Sequence, residues 1–124
     1  MKVLLVDDEP DIRKIGRLSL EAIGKWQVVQ AASAPEALEL ARRERPALIL
    51  MDVMMPGMDG PTALAELQRD PELRTIPVVF MTARVRQAEI DQYLAAGALG
   101  VIEKPFDPMT LPAELRRILA GRIA

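Results

Sequence analysis

Short apolar runs alternate with longer segments of helical period along the whole chain, and this alternation restricts the possible folds more than any other feature. The apolar runs predict strands at residues 2–6, 26–31, 47–51, 78–81 and 100–103. Repeated strand–helix pairs with right-handed crossovers give a parallel sheet that is covered on both faces. We therefore predict an α/β fold with an open, doubly wound sheet, in which residues 47–51, apolar on both sides, lie in mid-sheet.

The first predicted helix begins at about Pro10 and continues past residue 20. Its inward face is predicted from the helical spacing of Ile12, Ile15, Gly16, Ser19, Leu20 and Ile23. A capping box opens the second helix, with Ser33 as N-cap and Glu36 three residues later.

Turn and capping residues place the other helices. The third covers residues 62–69, and the fourth covers residues 88–96 with Gly97 as its C-cap. The last helix starts near Thr110, because Pro112 is tolerated in a first turn but would remove an internal hydrogen bond further along a helix.

Composition excludes several classes of protein. A length of 124 residues predicts a single domain, residues 1–124, and the absence of cysteine and histidine excludes a disulfide framework, a zinc finger, a thiol nucleophile and a Ser-His-Asp triad. A net charge of -2 argues against a nucleic-acid surface. The first apolar run ends in two acids, so neither a signal peptide nor a membrane span is predicted, and we expect a cytoplasmic protein.

Charged and polar residues follow four of the predicted strands. In an open parallel sheet, ligands bind beyond the carboxyl ends of the strands, so these residues should meet at one rim. They are Asp7, Asp8 and Glu9 after the first strand, Asp52 after the third, Thr82 after the fourth, and Lys104 with Pro105 after the fifth. Singly, each is more often a solvated cap or surface residue; only the combination points to a site.

The charges at this rim predict a hard divalent cation. Carboxylates at close range destabilise one another's ionised forms, and the negative charges of Asp7, Asp8 and Asp52 would be balanced by Lys104 and one divalent ion. Oxygen ligands of this kind suit Mg²⁺ or Mn²⁺. A lysine also provides a compact positive charge suited to one oxygen of a phosphoryl group.

Five blocks in this order and spacing resemble the receiver domain of two-component response regulators. They are Asp-Asp at 7–8, Leu-Met-Asp-Val-Met-Met-Pro-Gly-Met-Asp-Gly at 50–60, Met-Thr-Ala at 81–83, Ala-Ala-Gly-Ala at 95–98 and Lys-Pro-Phe at 104–106. The resemblance spans essentially the whole chain. It implies a flavodoxin-like sheet of five strands in the order 2-1-3-4-5 with five helices, similar to stand-alone chemotaxis regulators.

The resemblance also implies a role for each matching residue. Asp52 is the expected phosphoacceptor, and the metal ligands are expected to be Asp7, Asp8, Asp52 and the backbone carbonyl of Met54. Thr82 is the expected switch hydroxyl and Lys104 the phosphoryl-binding lysine, followed by a cis peptide bond to Pro105. The side chains of Met54 and Arg84 are expected to influence the lifetime of the aspartyl phosphate.

One position departs from the family pattern. The family usually has an aromatic residue three positions before the lysine, and its ring swings inward as the threonine moves. Here that residue is Val101, which has no ring to swing. For Tyr93 and Phe106, the nearby aromatic residues, we expect ordinary packing.

The leading hypothesis is a phosphorylation-controlled signalling switch that depends on Mg²⁺ and is not an enzyme acting on other molecules. Because the chain has no histidine, the phosphoryl group must come from a partner, a sensor histidine kinase or a histidine phosphotransfer protein. With the chain length used by the receiver fold, the signal is expected to leave by contact with a downstream protein. The sequence leaves open whether the phosphorylated form makes a homodimer.

Three alternatives belong to other functional classes. A docking module that works without phosphorylation is favoured only by Val101. A flavin carrier would need a hydroxyl and glycine cradle after the first strand, where this chain has acids and a proline. A free-standing Mg²⁺ phosphatase would need a substrate pocket, which the sequence does not indicate.

Overall fold

Five strands and five helices alternate in the computed structural model, which describes residues 1–83 and 86–121. The strands are β1 (Lys2–Val6), β2 (Gln27–Ala31), β3 (Leu48–Asp52), β4 (Val78–Thr82) and β5 (Gly100–Glu103). The helices are α1 (Pro10–Leu18), α2 (Ala34–Glu44), α3 (Gly60–Arg69), α4 (Gln87–Ala95) and α5 (Leu111–Gly121). A π-helical turn, Ser19–Ile23, follows α1 directly.

All strand pairs are parallel, and the strands lie in the order β2-β1-β3-β4-β5. This confirms the predicted doubly wound, flavodoxin-like fold. Every residue of β3 is buried, as the apolar run predicted for a strand in mid-sheet. The strands β3 and β4 each run one residue further than predicted, so Asp52 and Thr82 are their last residues.

Two apolar clusters cover the two faces of the sheet. On one face, Leu4, Val6, Ile49 and Met51 pack with residues of α2 and α3. On the other, strand residues such as Leu5 pack with the π turn and α5. Because successive strand residues point to opposite faces, β1, β2, β3 and β4 each pack into both clusters. The acids at the ends of β1 and β3 are therefore carried by strands that are packed on both sides.

The prediction of one regular helix from about Pro10 past residue 20 is wrong beyond Leu18. The helix widens into the π turn at Ser19, where the amide of Gly24 donates to the carbonyl of Ser19 at 3.1 Å. Gly16, Ser19 and Leu20 are buried as predicted, but Ile15 and Ile23 are exposed. The wider turn changes the angular position of later residues, so a uniform period of 3.6 assigns the wrong face to Ile23.

Local capping explains where α2 and α3 begin and where α4 ends. The Ser33 hydroxyl accepts the Glu36 amide at 3.3 Å, which confirms the predicted N-cap. Asp59 caps α3 by accepting the Thr62 amide at 2.9 Å, so this helix starts at Gly60, two residues before the prediction. The C-cap of α4 is Ala96, not Gly97 as predicted, and Gly97, the next residue, has a positive φ of 114°, the conformation for which glycine is favoured just past a helix.

The last helix starts as predicted. It begins at Leu111, with Pro112 in its first turn, and Leu111 and Leu115 are fully buried. Proline is tolerated here because amides of the first turn have no partner within the helix. Over residues 1–83 and 86–121, no helix is both long enough and apolar enough to cross a membrane.

Candidate functional site

The carboxyl ends of β1, β3, β4 and β5 bring the predicted site residues together. Asp7 follows the last residue of β1, and Lys104 follows the last residue of β5. Asp52 and Thr82 end the neighbouring strands β3 and β4, and both are buried. Parallel strands place these ends at one edge of the sheet, which is why residues almost a hundred positions apart meet.

Asp7 is completely buried, and its polar groups are all engaged. One carboxylate oxygen accepts the Glu9 amide at 2.9 Å, and the other accepts the Lys104 ammonium at 2.9 Å. Its amide donates to the Ala31 carbonyl, and its own carbonyl accepts Nη1 of Arg13 at 2.7 Å. Two bonds therefore hold the carboxylate of Asp7, and two more hold its backbone.

Lys104 is the cation of the site. Its Nζ lies 2.9 Å from Asp7, 3.4 Å from Asp52 and 3.8 Å from Glu9. Burial lowers the pKa of the Lys104 ammonium, but the hydrogen bond and charge of Asp7, together with the charge of Asp52, outweigh burial and raise that pKa above its ordinary value. The lysine is accordingly charged at neutral pH.

At Asp52, in contrast to Lys104, burial and a like charge have a larger effect on the pKa than the attractive interactions have. Its side chain is 6% exposed, and burial and the nearby charge of Asp7 raise the pKa of its carboxyl above the usual aspartate value. Lys104 and the amide of Met54, 3.4 Å from Oδ1, lower the pKa only in part. The ionised carboxylate is thus held at a cost in free energy, which an incoming cation would relieve.

Three carboxylates form a group that can hold a metal ion. One oxygen each from Asp7, Asp8 and Asp52 can lie within 4.8 Å of the others. Asp52 and Asp8 also line a cleft of about 430 Å³, together with Glu9, Ile12, Met54, Ala83, Lys104 and Pro105. Carboxylate oxygens beside open space suit Mg²⁺, which keeps several waters when bound.

The loop after Asp52 returns to the end of β3. The Gly60 amide donates to the Val53 carbonyl at 2.9 Å, and a Cβ on Gly60 would lie 2.7 Å from the Asp52 carbonyl oxygen. Only glycine allows this close approach without a shift. The loop 53–59 is thereby held over the rim, with Met54 exposed at the cleft.

Thr82 and its neighbours lie on the other side of Asp52. The Thr82 carbonyl accepts the Lys104 amide at 2.9 Å, and Ala83, the next residue, lines the cleft. The peptide bond between Lys104 and Pro105 is cis, the isomer that the family resemblance implies. Arg84 lies outside the described residues.

Val101 is half-buried on β5 and pairs in register with Phe80 of β4. The aromatic contact at this edge is made instead between Phe80 and Tyr93 of α4, whose ring centroids are 5.3 Å apart in an edge-to-face arrangement. Tyr93 packs against one apolar cluster and Phe106 against the other, so the packing role predicted for both is confirmed.

Arg13 is the residue of this network that the sequence pattern missed. Nothing at the sequence level distinguishes it from other basic residues of an amphipathic helix. It lies one turn into α1, four residues after Glu9, and its side chain reaches the end of β1 only because of how α1 lies on the sheet.

The family model described as response regulator receiver domain matches residues 3–116. The response regulator Rre1 of Synechocystis is 40% identical over all of this chain, which covers 54% of Rre1. The response regulator PleD of Caulobacter vibrioides is 40% identical over 94% of this chain and 26% of PleD. The chain therefore spans about half or less of these relatives.

Solved structures match over nearly their whole length. The chemotaxis protein CheY4 of Vibrio cholerae is 32% identical with a TM-score of 0.88, covering 94% of this chain and 97% of that one. A response regulator structure from Chloroflexus aurantiacus is 31% identical with a TM-score of 0.87, over 96% and 97% of the two chains.

The chain belongs to the response regulator receiver domain family. It is a receiver domain of two-component signalling, a phosphorylation-controlled switch and not a classical enzyme. This membership does not favour the alternative of a docking module that works without phosphorylation.

Proposed function

We propose that Asp52 accepts a phosphoryl group from a phosphohistidine of a partner protein, in a reaction that needs Mg²⁺. We also propose that residues 1–124 form one receiver domain. The observation that carries the proposal is the environment of Asp52, a buried carboxylate with a raised pKa, beside two further carboxylates and 3.4 Å from the Lys104 ammonium.

In the proposed reaction, an Asp52 carboxylate oxygen forms a bond to phosphorus as the phosphorus–nitrogen bond of the donor imidazole breaks. The imidazole nitrogen takes up a proton, and the product is an acyl phosphate. The three carboxylates and the backbone carbonyl of Met54 would hold Mg²⁺, which supplies charge neutralisation at the phosphoryl oxygens. Phosphoryl transfer requires mainly such positioning and charge stabilisation.

The other site residues act on the phosphoryl group through their own atoms. Lys104 donates a hydrogen bond to a phosphoryl oxygen. To do so, its ammonium either leaves Asp7 or contacts Asp7 and the phosphoryl group at the same time. The Thr82 hydroxyl donates to another oxygen, and this movement at the end of β4 alters the surface of α4 and β5. That surface is proposed to contact a downstream protein, with a homodimer as one form of the contact.

The phosphoryl donor lies outside these 124 residues, which contain no histidine. A sensor histidine kinase or a histidine phosphotransfer protein supplies the required chemistry. Because the proposed positioning and charge stabilisation come from the residues of this site, a small-molecule donor tests the site without knowledge of the partner.

The test is intact-mass measurement after incubation with acetyl phosphate and Mg²⁺. We expect wild type to gain the mass of one phosphoryl group, and Asp52→Asn, or wild type with a chelator, to gain none. Asp91→Asn is the matched control, since Asp91 is an exposed acid of α4 whose carboxylate accepts a hydrogen bond from Gln87. Equal gain in Asp52→Asn and wild type contradicts the proposal.

A further inference from the structure

The segment from Lys104 to Thr110 joins β5 to α5 and carries the only cation that contacts both Asp7 and Asp52 among the described residues. At its start, the Lys104 amide is bonded to Thr82. Within it, Asp107 accepts the amide of Met109 at 2.9 Å. The first bond ties Lys104 to the end of β4, and the second shapes the segment internally. Neither of them holds the middle of the segment against α1.

Two contacts attach the segment to α1 and the π turn. The Ser19 hydroxyl donates a hydrogen bond to the carbonyl of Pro108, a residue 89 positions away. The Phe106 ring packs close to Gly16, where an added Cβ would lie 3.7 Å from the ring and 2.9 Å from a methyl carbon of Leu5. The missing side chain at Gly16 lets α1 lie close to Leu5 of β1, and the Phe106 ring lies over the same position at ordinary van der Waals distance.

Ser19 is the first residue of the π turn, and its hydroxyl is used differently from that of most helical serines. A serine inside a helix commonly bonds back to a carbonyl of its own preceding turn. Ser19 instead uses its hydroxyl across the fold, although it is only 3% exposed. The next residue, Leu20, is fully buried in the cluster that contains Leu111 and Leu115, so the turn packs against the helix that follows the segment.

We propose that Ser19 is a positioning residue for Lys104. Its bond to the Pro108 carbonyl holds the 104–110 segment against α1, which keeps the Lys104 ammonium between Asp7 and Asp52. This inference rests on the proposed function, because the ammonium that Ser19 positions is the group proposed to contact the phosphoryl group. It extends that function to a residue with no contact to the reacting atoms.

The first test is a double-mutant cycle on the rate of phosphorylation by acetyl phosphate at saturating Mg²⁺. Ser19→Ala is expected to slow the reaction about tenfold, whereas Ser19→Thr, which keeps the hydroxyl, recovers most of the rate. In the Lys104→Met background, Ser19→Ala is expected to change the remaining rate by less than about twofold, because the group it positions is gone.

Ser33→Ala is the matched control. It also removes a serine hydroxyl that makes a hydrogen bond, but at the N-cap of α2, and it should leave the rate unchanged. Affinity for Mg²⁺, measured by calorimetry, should not fall in Ser19→Ala, because the metal-ligating acids lie outside the segment and the change only moves a competing cation away from them. A parallel loss of Mg²⁺ affinity would show a general disturbance and overturn the inference.

A second measurement reads Lys104 without phosphoryl transfer. Acylation of individual lysines by a small reagent, followed by peptide mass spectrometry, should label Lys104 about threefold faster in Ser19→Ala than in wild type, since a side chain that is 12% exposed in its held position becomes more accessible to the reagent. Exposed Lys14 is the internal control and should react at the same rate in both proteins. Unchanged labelling of Lys104 contradicts the positioning role.

The outcomes separate the two proposals. If wild type accepts no phosphoryl group, the proposed function fails, and the labelling experiment still decides whether Ser19 positions Lys104. If wild type is phosphorylated and Ser19→Ala reacts equally fast, or loses the same factor with and without Lys104, only the positioning role fails.

Discussion

The helices α2 and α4 lie on the same face of the sheet, but they are held there very differently. Four residues of α2 are buried: Ala34, Ala37, Leu40 and Ala41. No residue of α4 is buried, and its contact with the apolar cluster is made by the half-buried Tyr93. A helix gains most of its stability from packing an apolar face, so α4 should open locally at a lower free energy than α2.

The difference corresponds to the positions of the two helices relative to the site. The helix α2 follows β2, an edge strand whose end carries no site residue, whereas α4 follows β4, which ends in Thr82 beside Asp52. A weakly packed helix next to the site can change position at little cost in buried apolar area. A deeply packed helix cannot.

The largest expected effect comes from truncating one leucine in each helix. Leu40→Ala removes a buried side chain of α2 and should lower the free energy of unfolding by about 2–5 kcal/mol. Leu94→Ala, at a residue that is 44% exposed in α4, should change it by less than about 0.5 kcal/mol. Urea unfolding followed by circular dichroism measures both values, and similar losses in the two variants would contradict the comparison.

A smaller effect is expected from removing the Asp52 charge in Mg²⁺-free buffer. The raised pKa means that the folded state binds a proton more readily than the unfolded state, so the wild type loses stability as pH rises through that pKa. Asp52→Asn should therefore be more stable at neutral pH, by about 0.5–2 kcal/mol. The gain should disappear in acid below the ordinary aspartate pKa of about 3.9.

Hydrogen exchange then separates the two helices in this variant. Amides of α2 that exchange only by global unfolding should slow by the factor that corresponds to the stability gain. Amides of α4 that exchange by local opening should not change. Equal slowing in both helices would show that α4 opens only with the whole domain, and a variant less stable than wild type at neutral pH would contradict the pKa direction.

The smallest effect is expected at the helix N-termini. The Ser33 side chain caps α2, whereas Arg86, at the N-cap position of α4, makes no side-chain capping bond. Ser33→Ala should lower stability by about 1 kcal/mol in thermal unfolding. Arg86→Ser should slow exchange of the first α4 amides without a measurable loss of global stability, and faster exchange there would contradict the capping explanation.

The sequence by itself determined the architecture and the members of the site. Short-range rules suffice for both: strand and helix periods differ, and the ends of parallel strands must share one edge. These rules gave the strand positions, the Ser33 cap and the meeting of Asp7, Asp52, Thr82 and Lys104. The order of the strands came from the family resemblance, because periodicity alone does not determine which strands are neighbours.

Only the tertiary structure decided how the site residues are held. The bond from Arg13 to the Asp7 carbonyl and the bond from Ser19 to Pro108 depend on how α1 lies on the sheet and on one widened turn, which no local pattern encodes. The same holds for the exposure of Ile23 and the weak packing of α4. Burial and charge proximity are sums over distant residues, so the raised pKa of Asp52 also emerges only when the strands are assembled.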